Sequence, residues 1–145
     1  MLDMNHDLEV LHQEALRRRA RQHLDYLDEM KAAQIANARG LSQREIAELL
    51  ETSQARVHRL LKAAARHKEV EDVDPEEIIL RTFAYDGDRS ILVESLKKIT
   101  YTVGEDAPFP FEGRIPGTWD LVVNSFAKGF LSEDEFLEIK NSVGR

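Results

Sequence analysis

LSQREIAELLETSQARVHRLLK, residues 41–62, is the stretch that decides the fold of this chain. Ser42, followed three residues later by Glu45, forms a capping box, so a helix is predicted to begin at Gln43. About ten residues further on, Ser53 predicts the N-cap of a second helix. The apolar spacing predicts two short helices with one buried side each. The inward residues are expected to be Ile46, Leu49 and Leu50 in the first helix, and Val57, Leu60, Leu61 and Ala64 in the second. Ala47 is small, as required where the second helix crosses closely over the first.

Two short helices joined by a turn of three or four residues form an arrangement that many proteins use to read DNA. Residues 39–66 resemble the helix-turn-helix of bacterial transcription regulators, including sugar-responsive repressors and region 4 of sigma factors. The chain departs from that pattern at Glu51, where the family usually has Gly, and at Thr52, where it usually has an apolar residue. A residue other than glycine fits this turn if the turn is slightly longer or less left-handed.

The resemblance implies that the second helix lies in the major groove of DNA, with its N-terminal half against the base edges. Gln suits adenine, Arg suits guanine, and the methyl group of Ala suits thymine. The implied base-reading residues are Ser53, Gln54, Ala55, Arg56, His58 and Arg59, and the implied phosphate-contacting residues are Ser42, Gln43, Arg44 and Lys62. The alternative is a helical hairpin used only for packing or for contact with a protein, but a packing hairpin would not need Gln, Arg and His along its exposed side.

The segment before this unit predicts one long helix. Residues 7–38 contain neither Gly nor Pro, and Gly40 predicts the C-cap; a break near the Arg-rich residues 17–21 remains open. Apolar residues recur at three- and four-residue spacing: Leu8, Leu11, Ala15, Leu24, Leu27, Met30 and Ile35. Two short helices cannot cover so long a stripe, so a second copy of the chain is the expected partner. The arginines of 17–21 point in different directions, which leaves both a solvated segment and a phosphate contact open.

The segment after this unit predicts further helices. Their start signals are Asp74 before Pro75, Asp88, Thr118, and a capping box from Ser132 to Glu135. In the second of them Ile91, Leu92, Leu96 and Ile99 are expected to share one face. Residues 101–117 hold three of the four prolines and predict a long ordered loop or a short hairpin. The predicted fold class is all-α: a long N-terminal helix, a helix-turn-helix DNA-binding unit and a small C-terminal helical module.

Charge divides the chain into two halves. Residues 1–68 contain 12 basic and 10 acidic residues, whereas residues 69–145 contain 8 and 17. The sequence therefore predicts a DNA-binding domain over 1–68, made of the N-terminal helix and the helix-turn-helix. It predicts an acidic, aromatic-rich helical module over 69–145 that binds a partner or a second copy. Phe109, Phe111 and Trp119, in or beside the Pro-rich loop, are the candidate partner-binding residues, with core packing as the alternative reading.

Several classes of site are not expected. The chain has no cysteine, and its five histidines show no three- or four-residue spacing, so neither a metal nor a cofactor is predicted. There is no phosphate-binding glycine loop and no Gly-x-Ser-x-Gly motif, and the acidic clusters are explained as helix caps, so no catalytic residue is assigned and an enzyme is not predicted. The chain shows no signal-peptide pattern and no apolar run of membrane-spanning length, which predicts a cytoplasmic protein without membrane contact.

The predicted function is a sequence-specific DNA-binding transcriptional regulator, a repressor that binds double-stranded DNA as a homodimer. The most economical version is the antitoxin of a toxin–antitoxin pair, which represses its own operon and binds a toxin through its C-terminal half. The alternative is a protein-interaction adaptor without sequence-specific DNA binding. A third reading is a recombinase accessory domain, although no catalytic serine or tyrosine constellation accompanies the motif.

Overall fold

The computed structural model of this chain describes residues 4–67, 74–110, 112–115 and 117–145. Within these ranges the chain is mostly helical, with one short antiparallel ribbon. The elements are α1 Met4–Ala38, α2 Gln43–Leu49, α3 Gln54–His67, α4 Pro75–Ala84, α5 Arg89–Lys97, β1 Glu105–Asp106, β2 Arg114–Ile115, α6 Thr118–Ala127 and α7 Glu133–Val143. The prediction of a helical protein is confirmed, and the Pro-rich segment forms the short hairpin. None of the described helices combines the length and the apolar character needed to cross a bilayer.

The chain forms two compact units, and α1 contributes to both. The three-helix unit consists of α1 from Gln22 onward together with α2 and α3. The acidic unit consists of α1 up to Arg21 together with α4 to α7 and the ribbon. The predicted division into 1–68 and 69–145 differs from this arrangement at the first part of α1, which packs with the C-terminal half. The predicted boundary itself falls outside the described residues.

The three-helix unit is built around a continuous apolar core. All three helices contribute buried side chains: Leu24, Leu27, Met30, Ala33, Ala36, Ile46, Ala47, Val57, Leu60 and Ala64. Leu49 is the exception among the residues expected to face inward, because 63% of it is exposed. Burial of both Ile46 and Ala47 sets the inward side of α2, and a rotation of about 100° per residue then points Leu49 away from it.

The end of α1 follows its predicted signal. Gly40 has a φ of 87°, the left-handed conformation that glycine adopts without strain. Its backbone N–H donates to the carbonyl of Asn37 at 3.0 Å, and the N–H of Leu41 donates to the carbonyl of Ala36 at 3.3 Å. These two bonds form a Schellman cap, which satisfies carbonyls that the helix leaves without partners. The C-cap prediction is confirmed, and α1 continues through residues 17–21 without a break.

Within the acidic unit, the first part of α1 contacts α4 and the turn after it through Arg17. Its guanidinium lies 5.7 Å from the centre of the Phe83 ring and 3.0 Å from a carboxylate oxygen of Asp86. Ala20, one turn further along, is 3% exposed. The Arg-rich segment therefore supplies one structural contact through Arg17, while Arg18, Arg19 and Arg21 are exposed.

The core of the acidic unit combines aliphatic side chains with an aromatic cluster. α4 packs on α5 and α6, and α5 packs on α7. Trp119 stacks on Phe136 with ring centres 5.9 Å apart and meets Tyr101 edge-on at 5.1 Å. Burial raises the pKa of Tyr101 to about 12, and its hydroxyl donates to the carbonyl of Leu96. Ile91 was expected on the inner face of α5 but is 65% exposed, because Val93 is buried in its place.

An ion pair links the start of α5 to the start of α7. The guanidinium of Arg89 donates to both carboxylate oxygens of Glu135, at 2.9 and 2.7 Å, and also to the carbonyl of Phe130. These hydrogen bonds lower the pKa of Glu135 below its usual value. Glu135 also completes the predicted capping box with Ser132. One carboxylate thus fixes both a helix end and a contact between helices.

Candidate nucleic-acid interface

The beginning of α2 is fixed by the capping box that the sequence predicts. The side-chain oxygen of Ser42 accepts from the backbone N–H of Glu45 at 3.2 Å, and the Glu45 carboxylate accepts from the N–H of Ser42 at 3.0 Å. The second bond lowers the pKa of Glu45 below its usual value. Ser42, a predicted phosphate ligand, accepts the first bond as the N-cap and keeps its O–H free to donate, as Ser53 does at the start of the next helix. Gln43 and Arg44 are exposed on the first turn of α2.

The turn after α2 is left-handed at Glu51, with a φ of 55°. The N–H of Thr52 donates to the carbonyl of Ala47 at 2.9 Å, and the N–H of Glu51 donates to the carbonyl of Glu48 at 3.4 Å. These bonds form the same Schellman cap that Gly40 supports at the end of α1. The sequence left open a turn that avoids the left-handed region at this position. Glu51 instead adopts the conformation that glycine would supply, with the strain that a side chain brings.

Replacing Glu51 with glycine is expected to stabilise the three-helix unit by about 0.5–1 kcal/mol. Glycine removes the left-handed penalty, and the greater entropy of the unfolded chain offsets part of that gain. Urea denaturation followed by circular dichroism measures the change. The matched control is Glu48→Gly inside α2, which is expected to destabilise by about 1 kcal/mol. A loss of stability in Glu51→Gly similar to that in the control would contradict the role assigned to this turn.

The beginning of α3 presents a polar, exposed side. Ser53 is the N-cap, and its hydroxyl accepts from the backbone N–H of Arg56 at 3.1 Å. The opposite side of α3 is buried at Val57 and Leu60, which are 0% and 1% exposed. The exposed residues among those predicted to contact DNA are Ser53, Gln54, Ala55, His58, Arg59 and Lys62. The helix therefore brings these six side chains together along one accessible surface, which we call the α3 face.

Arg56 does not belong to the α3 face. Its Nε donates to a carboxylate oxygen of Glu29 on α1 at 2.5 Å, and both side chains are partly buried. The assignment of Arg56 as a base-reading residue is therefore corrected: its guanidinium is held against α1. The sequence could not reveal this pair, because Glu29 lies 27 positions away in the chain. The contact ties the start of α3 to the long helix and fixes where the α3 face points.

The charge of α3 is uniformly basic. The helix contains Arg56, Arg59, Lys62 and Arg66 and no acidic residue. On α2, Arg44 lies 3.5 Å from Glu48, and both side chains are more than two-thirds exposed. Such an exposed pair contributes little to stability and is readily exchanged for another anion. The surface formed by the α2 start and the α3 face thus offers cations, amide groups and helix-start N–H groups, which are the groups that bind nucleic-acid phosphates and bases.

The candidate partner-binding residues Trp119 and Phe109 differ in their surroundings. Trp119 is part of the aromatic cluster in the acidic unit, so the core-packing alternative holds for it. Phe109, in contrast, is 98% exposed. Phe111 lies outside the described residues. Of the three, Phe109 alone stands exposed in the described part of the chain.

Sequence reasoning missed an apolar depression on the three-helix unit. Ile35 at 60% and Leu49 at 63% are its most exposed apolar residues. The lining comprises Ala32, Ile35, Ala36, Arg39, Leu41, Leu49 and Leu50. The signal was present at Ile35 and Leu49, but both were assigned to buried faces from spacing alone.

No group of three or more His, Asp or Glu side chains in the described ranges is placed to hold a metal ion. Comparison of the chain with protein-family models, with curated proteins and with solved structures gives no match.

Proposed function

We propose that this chain is a sequence-specific DNA-binding transcriptional regulator, in which α2, the turn at Glu51 and α3 act as a helix-turn-helix. The observation that carries the proposal is the α3 face: six polar or small side chains, exposed along a helix without acidic residues. A solvated helix in a chain of net charge -7 would be expected to carry acidic residues as well. A surface selected for a polyanion excludes them.

The chemistry of the α3 face matches base edges in the major groove. Arg59 donates two parallel hydrogen bonds to O6 and N7 of guanine, and Gln54 both donates to and accepts from adenine. Ala55 contacts the methyl group of thymine, and His58 and Ser53 provide further polar contacts. Arg44, Gln43 and Lys62 hold the phosphates on either side. Arg56 acts as a positioning residue through its contact with Glu29.

The regulator is proposed to be a repressor that works as a homodimer on a palindromic operator, in the manner of an antitoxin. In this version the acidic unit binds the toxin, and the exposed Phe109 is the residue best placed to enter an apolar pocket on it. The excess of acidic residues over 69–145 favours a basic partner. The competing function, an adaptor that contacts only proteins, is favoured by the apolar depression around Ile35 and Leu49.

Selection of duplexes from a random double-stranded DNA library by the purified full-length protein tests the proposal. We expect enrichment of two inverted half-sites whose centres lie about one helical turn, roughly 34 Å, apart. The variant Gln54→Ala/Arg59→Ala is expected to enrich no sequence while keeping its helical circular dichroism. The variant Arg44→Ala serves as the matched control on α2. It is expected to select the same motif with lower affinity, and its salt dependence should fall by about two units of slope, one for the Arg44 of each subunit.

Failure of the unsubstituted protein to enrich any sequence would contradict DNA reading and favour the adaptor. Enrichment of the same motif by the Gln54→Ala/Arg59→Ala variant would show that DNA is read by a different surface.

A further inference from the structure

The first four turns of α1 carry an exposed apolar stripe. Met4, Leu8 and Leu11 are 75%, 59% and 60% exposed, and Ala15 follows at the next position of the series. The spacing of four, three and four residues places all four within about 60° around the helix axis. It is the spacing of the a and d positions of a coiled coil, with Leu8 and Ala15 at a and Met4 and Leu11 at d.

This stripe lies on the side of α1 opposite the contact that Arg17 makes with α4 and the turn after it. Arg17 contacts Phe83 and Asp86, and both Arg17 and the buried Ala20 lie about 150° around the axis from the centre of the stripe. The apolar side chains are therefore not a misplaced part of the local core. They form a separate surface at the beginning of the helix.

We propose that the stripe is the contact between two copies of this chain, with their α1 helices side by side and parallel. The residues that flank the stripe support a second copy as the occupant, because the acidic residues on one side of it can pair with the basic residues on the other side in a second copy. Asp7 and Glu14 occupy the g positions on one side of the stripe, and His12 and Arg19 occupy the e positions on the other. In a parallel pair a g residue meets the e residue five positions later on the other chain. Asp7 then meets the partner subunit's His12, and Glu14 meets the partner subunit's Arg19.

The antiparallel arrangement brings different residues together. There g faces g, so Glu14 would lie beside the partner subunit's Asp7, acid against acid, on both sides of the two-fold axis. The charge pattern therefore favours the parallel pair. Parallel helices also place the two Ala38 ends together, so that two copies of α2 and α3 follow at the same end. In this respect the inference rests on the proposed function, because a palindromic operator requires two reading helices side by side.

Sedimentation equilibrium of the full-length protein tests the contact without DNA. We expect a dimer for the unsubstituted chain and a monomer for Leu8→Glu/Leu11→Glu, with unchanged helical circular dichroism because both leucines are exposed. The matched control, Ile35→Glu/Leu49→Glu, changes two equally exposed residues on the three-helix unit and is expected to remain dimeric. A monomeric unsubstituted protein would overturn the proposal, as would dissociation of the control in place of the stripe variant.

Charge reversal tests the orientation. Glu14→Arg and Arg19→Glu alone are each expected to weaken the dimer about tenfold, since each turns two attractive contacts of the symmetric pair into repulsive ones. The double variant is expected to restore the original dissociation constant. Tighter dimerisation by Glu14→Arg alone would indicate the antiparallel pair and overturn the proposed orientation. All these measurements omit DNA, so their failure is distinguishable from a failure of DNA reading.

Discussion

Arg59→Ala is expected to weaken binding to the preferred duplex by about ten- to a hundredfold for each half-site, and to leave the fold unchanged. Arg59 is exposed on α3, two positions from the buried Val57, so its side chain makes no contribution to the core. A bidentate contact from arginine to guanine discriminates by about 1–3 kcal/mol, and a two-fold symmetric complex contains this contact twice. Fluorescence anisotropy with the selected duplex and with single-base variants of it measures the effect. The variant should also lose its preference at one base pair in each half-site.

Arg56→Ala is the matched control for this prediction. It removes the same charge from the same helix, but from a guanidinium held by Glu29 on α1. We expect Arg56→Ala to weaken binding to all duplexes alike and to keep the base preference, because α3 is less well positioned. Relaxed specificity at one base pair in Arg56→Ala, with specificity retained in Arg59→Ala, would contradict the placement of Arg56 outside the α3 face and of Arg59 within it.

Leu60→Ala is expected to lower the free energy of unfolding of the three-helix unit by about 2–5 kcal/mol. Leu60 is 1% exposed and belongs to the buried core of the three-helix unit. Its truncation removes apolar contacts and leaves a cavity that the small unit cannot fill by relaxing. Urea denaturation measures the global loss. Hydrogen exchange locates it: protection should fall in α2 and α3 and remain in α4 to α7, because the two units have separate cores.

Leu49→Ala makes the same chemical change at an exposed site of the same unit. Its expected effect is within about 0.5 kcal/mol, as for most surface substitutions. Equal losses in the two variants would show that Leu49 is buried in solution, by a second copy or another partner in the apolar depression. Loss of protection spread over α4 to α7 in Leu60→Ala would contradict independent cores.

The helix boundaries were the part of the fold that the sequence predicted best. Ser42 with Glu45, Ser53, Asp74, Asp88 and Ser132 all cap the helices assigned to them. A cap is a local contact within three residues, so its signal is contained in a few consecutive positions. Thr118 differs by one position: the N-cap is Gly117, whose N–H donates to Asp120, while the Thr118 hydroxyl accepts from the N–H of Thr102.

Contacts between distant segments were the part that could not be predicted. The first part of α1 joins α4 to α7 because Arg17 meets Phe83 and Asp86, nearly 70 positions later in the chain. The spacing of apolar residues also did not determine which side of a short helix faces the core. Leu49 and Ile91 fit an apolar series, yet each points outward, because a single neighbouring buried residue rotates the inner side of a helix of two turns.

The candidate site was predictable to the same degree. The spacing placed Gln54, His58 and Arg59 on the accessible side, since none of them belongs to the apolar series of Val57, Leu60, Leu61 and Ala64 that forms the inner side. It also placed Arg56 near that side. The ion pair with Glu29 holds the Arg56 side chain against α1, and this contact between distant segments is visible only in the structure.

The division of α1 between two units sets an order of events during synthesis. Every part of the three-helix unit is outside the ribosome once α3 has emerged, whereas the segment up to Arg21 has no partner until α4 to α7 have been made. Since domains fold as units and in the order in which they are completed, the three-helix unit acquires its structure first. Nascent chains stalled far enough beyond residue 67 for α3 to have left the exit tunnel should therefore already contain a protease-resistant core from Gln22 onward, preceded by a segment that is still cleavable.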